Sequence, residues 1–284
     1  MRAGPLTVLI TGCSTGIGRA LALEFHGRGH VVYATARKTE ALADLAACGL
    51  RVAPLDVNEA ASIAALSQRL HGDAASVDLL VNNAGYGLMG PLLDVASDEV
   101  RQQFETNVIA VLAMVQALFP HMTQPGARIV NIGSVSGLLV TPFSGAYCAT
   151  KAAVHALSDA LRMELRPLGI GVITVQPGAI RSEFGSTASH SSAVRNAATS
   201  RYAAIADAIA ARANASQQHS TAAEEFARQM VDAVLATRPR STVRIGNGSF
   251  VLPWLARWLP VGLRDRVLSR RFKLDRLPPA GPVV

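Results

Sequence analysis

Seven short apolar runs, each separated from the next by a segment of helix length, constrain this chain more than any other feature. The first spans residues 6–10 and ends in the glycine-rich stretch Thr11-Gly12-Cys13-Ser14-Thr15-Gly16-Ile17-Gly18. Residues 19–25 then show helical spacing, and residues 31–36 read as a second strand. Further strand-like runs lie at 51–55, 78–81, 128–132, 171–175 and 242–245. Strands joined through helices run parallel, because parallel neighbours need a long crossover and a hairpin cannot supply one. The expected fold class is therefore α/β: a doubly wound parallel sheet of about seven strands flanked by helices, with a C-terminal helical extension.

Composition supports this. Half of the 284 residues are hydrophobic and 17% are charged, enough apolar surface to cover both faces of a sheet. The net charge of +7 is placed unevenly. Residues 250–276 hold Arg257, Arg264, Arg266, Arg270, Arg271, Lys273 and Arg276 against Asp265 and Asp275, a local excess of 7 − 2 = +5. A charge gathered at one end argues against nucleic acid as a partner. Cys13, Cys48 and Cys148 are odd in number and lack paired spacing, so no disulfide framework and no metal site is expected, in keeping with a reducing cytoplasm. No signal-like core opens the chain. The uncharged stretch 106–127 is interrupted by Gln116 and Pro120, short of the ~20 apolar residues needed to span a bilayer, and reads as a buried helix.

Residues 1–249 are expected to form a single dinucleotide-binding and catalytic domain. Within it, residues 182–221 turn to Ala, Ser, Asn and His and read as a substrate flap or as a solvated insertion. Residues 250–284 form an amphipathic, basic extension: Phe250, Val251, Trp254, Leu255, Trp258, Leu259, Leu263, Val267 and Leu268 recur at helical spacing among arginines. Such a tail packs across the substrate mouth, packs against another subunit, or makes peripheral contact with an anionic membrane through 250–276.

Gly12, Gly16 and Gly18 stand where a first strand turns into a helix, so backbone amides and the positive helix end can approach a pyrophosphate. After the second strand the chain offers Arg37 and Lys38 where an NAD-selective fold places a carboxylate. A planar guanidinium suits a 2′-phosphate, which points to NADP(H) rather than NAD(H). Farther on, Tyr147 and Lys151 lie four residues apart, one helical turn, with Ser134 thirteen residues upstream. An ammonium at that spacing favours the phenolate of a tyrosine that otherwise titrates near pH ~10.

Taken in order, these motifs resemble the short-chain dehydrogenase/reductase family over roughly residues 6–245, and within it the branch of 17β-hydroxysteroid and retinol dehydrogenases. The resemblance rests on the TGxxxGxG turn, Asp56, Asn82-Asn83-Ala84-Gly85, Asn107, Ser134, Tyr147-x-x-x-Lys151 and Pro177-Gly178. It implies a Rossmann-like fold in which Gly12, Ser14, Thr15, Gly16, Ile17 and Gly18 wrap the pyrophosphate. Asp56 and Val57 would hold the adenine, Asn83, Ala84 and Gly85 would line the cofactor, and Pro177, Gly178, Ile180 and Ser182 would face the nicotinamide. Two departures are Ser182, where many relatives carry Thr, and Thr15, where NADP-selective relatives often carry a base. Tyr147 would act as acid or base, Ser134 would hold the reacting oxygen, Lys151 would also contact the nicotinamide ribose, and Asn107 would anchor a water for proton relay, unless it is simply a buried, satisfied Asn.

The implied activity is an NADP(H)-dependent interconversion of a lipophilic ketone or aldehyde with its alcohol, in a homodimer or homotetramer. Tyr86, Leu88, Met89, Leu138, Leu139, Val140, Phe143, Ile180 and Phe184 are candidate pocket residues, with no cation set aside for a carboxylate. A 3-oxoacyl carrier-protein reductase and a non-catalytic NADPH-sensing regulator are the alternatives.

Overall fold

A computed structural model describes residues 4–182, 191–217 and 219–278. Its seven strands are β1 (Thr7–Ile10), β2 (Val31–Ala36), β3 (Arg51–Pro54), β4 (Leu79–Asn82), β5 (Arg128–Ile132), β6 (Gly171–Pro177) and β7 (Thr242–Ile245). They form one sheet in the order β3-β2-β1-β4-β5-β6-β7, and every pairing is parallel. In register, Ile10 lies beside Ala34 on β2 and beside Val81 on β4. The chain direction of winding reverses between β1 and β4, so the loops after these strands part and leave a crevice at the carboxyl edge of the sheet.

Alternation along the strands explains why both faces are dry. Val8, Ile10, Val81, Val130 and Ile173 enter one core with helix α1 (Gly16–Gly27), the short helix α2 (Ala43–Ala47) and the helix Ala223–Leu235. Leu9, Leu80, Ile129 and Val172 enter the other, under α3 (Ala60–Gly72), α5 (Ala110–Leu118) and α6 (Gly145–Leu165). A side-chain period of two forces this division.

The helix over the stretch 106–127 is longer than its apolar core implies. Helix α4 (Ser97–Phe104), a π turn (Glu105–Ile109), α5 and a closing 3-10 turn (Phe119–His121) run on without a break. The 25-residue run Ser97–His121 is long and apolar enough to cross a membrane by length and composition. Gln116 does not interrupt it because it lies on the exposed side, and Pro120 falls inside the closing turn, where its missing N–H is not needed. Met114, Val115 and Leu118 pack this helix onto the second core.

Residues 191–217 carry short helical turns and the helix Ala206–Ala213. They are not a solvated insertion, because Ala193, Ala197, Ile205, Ile209 and Ala213 are buried. Residues 183–190, with Phe184, lie outside the described residues. The tail forms the helices Val251–Trp258 and Val261–Arg271, with Pro253 in the first turn of one and Pro260 capping the other. Its inner side reaches residues 191–217: Phe272 joins Phe143, Ile205 and Ile209 in a small core, with Leu268, Leu274 and Leu277 packed around it. Its outer side leaves Phe250, Trp254 and Trp258 more than half exposed.

Candidate active site

The glycine turn is tightened by backbone groups. Gly12 and Gly16 have φ of +73° and +57°, a region that side chains rarely adopt. A Cβ on Gly18 would stand 2.2 Å from the Gly12 carbonyl oxygen and 2.4 Å from Asn83 Nδ2. Thr11 Oγ1 accepts from the amides of Asn83 and Ala84, at 3.0 and 2.9 Å, while Asn83 Nδ2 donates back to the carbonyls of Thr11 and Gly12. The Asn83 side chain therefore braces the turn. Thr15 caps α1 without a side-chain bond, and the first turn of α1 carries no acidic residue. Its first-turn amides and positive end are of the kind that could hold a phosphate. Ser14, Thr15, Gly16, Arg181, Ser182 and Gln217 line part of an adjoining cavity of about 670 Å³. Ser182 is drawn to the turn, its amide donating to Gln217 Oε1 at 3.2 Å, a partner that the sequence did not single out.

Arg37 and Lys38 follow β2 directly and are exposed. No carboxylate pairs with either among the described residues, and Glu40 lies past the strand in a 3-10 turn. Asp56 follows β3, where its Oδ1 accepts from the Asn58 amide at 3.0 Å, and Val57 leans on the second core. These residues would accept a dinucleotide extended along the carboxyl edge: phosphates at the turn, a 2′-phosphate at Arg37, and adenine near Asp56.

Ser134, Tyr147 and Lys151 meet beyond the end of β5. All three are buried. Tyr147 and Lys151 share one face of α6, and the Lys151 Nζ sits 5.9 Å from the Tyr147 ring centroid. That amine donates to the Ile132 carbonyl at 2.8 Å. Burial alone lowers its pKa to about 8. Burial likewise pushes the Tyr147 phenol up to about 12, against the pull of a hydrogen bond from Ser134; Cys148 adds to the rise and the Arg212 charge opposes it. Desolvation thus dominates in the protein alone, and the groups that lower the phenol are Ser134 and Arg212, not Lys151 as the spacing led one to expect.

Asn107 occupies the π turn, a distortion frequent at functional sites. Its Nδ2 donates to the Tyr86 carbonyl at 2.9 Å and to Thr150 Oγ1 at 3.1 Å, and its Oδ1 accepts from the Tyr86 amide at 3.1 Å. Both amide protons are committed, so one oxygen lone pair is left for a water. Pro177 ends β6. Gly178 and Ala179 then bond to Ile245 and Asn247, and a Cβ on Gly178 would lie 2.0 Å from the Asn247 oxygen. Ile180 is buried in the first core.

Three neighbours of the site were not foreseen. His155, one turn beyond Lys151, accepts from the Ser134 amide at 3.4 Å, and burial lowers its pKa to about 4. It stays neutral and holds the serine loop. Its position at the next helical repeat after Tyr147 and Lys151 is the clue that was open to reading. Ala213 packs with Met89 against Tyr147, so the helix Ala206–Ala213 covers the phenol at its C-terminal end. Arg212, beside it, brings a cation where none was expected. Among the candidate pocket residues, Leu88, Met89, Leu139, Phe143 and Ile180 are buried and Tyr86 is partly so, whereas Leu138 and Val140 are exposed.

A family model described as short chain dehydrogenase matches residues 6–193. Short-chain dehydrogenase ptmH of Penicillium ochrochloron is 39% identical over 92% of this chain and 96% of its own length. The NADPH-dependent 1-acyldihydroxyacetone phosphate reductase of Schizosaccharomyces pombe is 36% identical over 63% of this chain and 61% of its own. A short-chain dehydrogenase/reductase from Burkholderia phymatum, solved in complex with NAD, superposes with a TM-score of 0.75 at 26% identity, covering 100% of this chain and 99% of that one.

Proposed function

The chain belongs to the short-chain dehydrogenase family, and we propose that it is an NADP(H)-dependent oxidoreductase interconverting a lipophilic ketone or aldehyde and the corresponding alcohol. The observation that carries this reading is the cluster of Ser134, Tyr147 and Lys151 at the same carboxyl edge of the sheet as the glycine turn. When bound, the nicotinamide dinucleotide supplies or accepts the hydride. The Ser134 hydroxyl holds the carbonyl oxygen. Tyr147 gives that oxygen its proton in reduction and removes it in oxidation. Lys151, fixed by the Ile132 carbonyl, keeps a positive charge beside the phenol below about pH 8 and contacts the nicotinamide ribose. Asn107 holds the Tyr86 loop and offers its remaining lone pair to a relay water.

Preference for NADP(H) is supported by Arg37 and Lys38, which pair with no carboxylate among the described residues, and by a relative whose name specifies NADPH. The apolar setting of Met89, Phe143 and Ala213 supports a lipophilic substrate. The glycine turn and the Asn83-Ala84-Gly85-Tyr86-Gly87 segment support the hydroxysteroid and retinol dehydrogenase branch. Ile109, Phe119 and Met163, exposed on the α4–α6 side, suit a homodimer or homotetramer. Trp254 and Trp258, set among arginines, suit contact with an anionic membrane. The test is a panel of lipophilic ketones, aldehydes and secondary alcohols, followed by nicotinamide absorbance with both coenzymes. Turnover with NADPH above NADH supports the reading. No turnover, or a preference for NADH, rejects it.

A further inference from the structure

Arg212 lies on the flap helix Ala206–Ala213, next to the alanine that packs on Tyr147. Its Nε donates to Thr141 Oγ1 at 2.8 Å, which fixes the stem and leaves the outer edge of the guanidinium uncommitted. The side chain is largely withdrawn from water, and that burial, together with the charge of Arg271, pulls its pKa down, while Cys148 and Tyr147 act the other way. Arg271 stands at the end of the tail helix Val261–Arg271. Among the described residues neither guanidinium has a carboxylate partner. The one acid on the flap helix, Asp207, is bonded to Lys273 of the tail. Arg271 is exposed, so the electrostatic cost falls on Arg212: a guanidinium withdrawn from water, held at Nε by Thr141 and with no carboxylate beside it among the described residues, is costly unless an anion completes the site.

We propose that Arg212, assisted by Arg271, is the anion-binding residue of the carbonyl site, and that the substrate is an apolar carbonyl compound bearing an ionised carboxylate or phosphate at its other end. This rests on the oxidoreductase reading above and names the substrate class within it. The outer edge of Arg212 offers a planar fork that matches either anion. Met89 and Ala213, packed against Tyr147 beside Arg212, are the apolar side chains that the rest of such a substrate would meet.

The test compares 10-oxodecanoate, 10-oxodecyl phosphate and methyl 10-oxodecanoate as substrates with NADPH. One charge-assisted contact corresponds to a preference of about 10- to 100-fold in kcat/KM for an anionic substrate over the ester. The better anionic arm separates carboxylate from phosphate. Arg212→Gln should bring the anion-to-ester ratio close to one, and Arg212→Lys should restore part of it. A structural role for Arg212 alone would lower all three substrates together and leave the ratio standing. Should Arg212→Gln fail to fold, Arg271→Gln reads the same ratio. A second readout needs no turnover: the melting shift of the NADPH-loaded protein with decanoate and decyl phosphate against decanol. A shift by an anion that Arg212→Gln abolishes supports the cradle even if no carbonyl is reduced, in which case the catalytic reading alone fails. Equal turnover of acid, phosphate and ester, with no shift beyond that of decanol, overturns the cradle and leaves the catalytic reading intact.

Discussion

Around the glycine turn, contacts run between backbone and two short side chains or from backbone to backbone: Thr11 to Asn83 and Ala84, Asn83 to Thr11 and Gly12, Gly18 against Gly12. Around Tyr147 they run between side chains from distant elements: Met89, Ala213 and, one layer out, Phe143 edge-on to Tyr202 and Phe272. The first region is shaped by where atoms are missing, the second by which atoms are supplied. A turn that works through absent Cβ atoms has few acceptable sequences. A roof built from side chains can change its lining while the sheet beneath stays as it is.

The largest effect should come from separating the two regions chemically. Tyr147→Phe removes the proton donor and should lower turnover by ~10²–10⁴, while dinucleotide affinity, read by fluorescence titration, changes by a small factor only. A comparable loss of affinity would mean that the two regions are not separable. Next, Arg37→Asp replaces a phosphate contact with repulsion and should cut the NADPH-over-NADH ratio in kcat/KM by ~10²-fold. Gly18→Ala should cost ~1–3 kcal/mol in urea unfolding, because the new methyl meets a backbone oxygen that cannot move aside. Phe272→Ala should act on the roof alone, loosening hydrogen-exchange protection in residues 203–213 by on the order of 1 kcal/mol, with β1 and β4 unchanged.

A last effect is a pH slope. Lys151 titrates near 8 when folded and near its ordinary 10.5 when unfolded. Between those values the unfolded chain binds the extra proton, so this group makes stability rise with pH across that window and adds no slope below about 8, where both states are charged. Melting of the dinucleotide-free protein should show that rise, and Lys151→Met should remove it.

Much of this was legible in the residues because it is local. Alternating apolar runs located all seven strands, and strand ends moved by a residue or two, as where β6 continues to Pro177 by pairing it with Ile245. Tyr147 and Lys151 were readable because a helical turn fixes their relation whatever surrounds them. Arg212 was not, since only the packing of the flap onto Met89 and Phe143 carries it to the phenol. The long helix was underread because its polar first turns, Ser97-Asp98-Glu99, are invisible to an apolar window. The Asn83 brace was missed for another reason: spacing shows that a side chain is near a turn, but not which way it points.

Phe272 and its neighbours also set an order of events in biosynthesis. Strands β1 to β4 and the turn they carry are complete long before the residues that stack on Phe143 have been translated. The wall over Tyr147 is therefore the last part of the molecule whose residues are made, and it closes on a sheet whose first four strands were synthesised well before it.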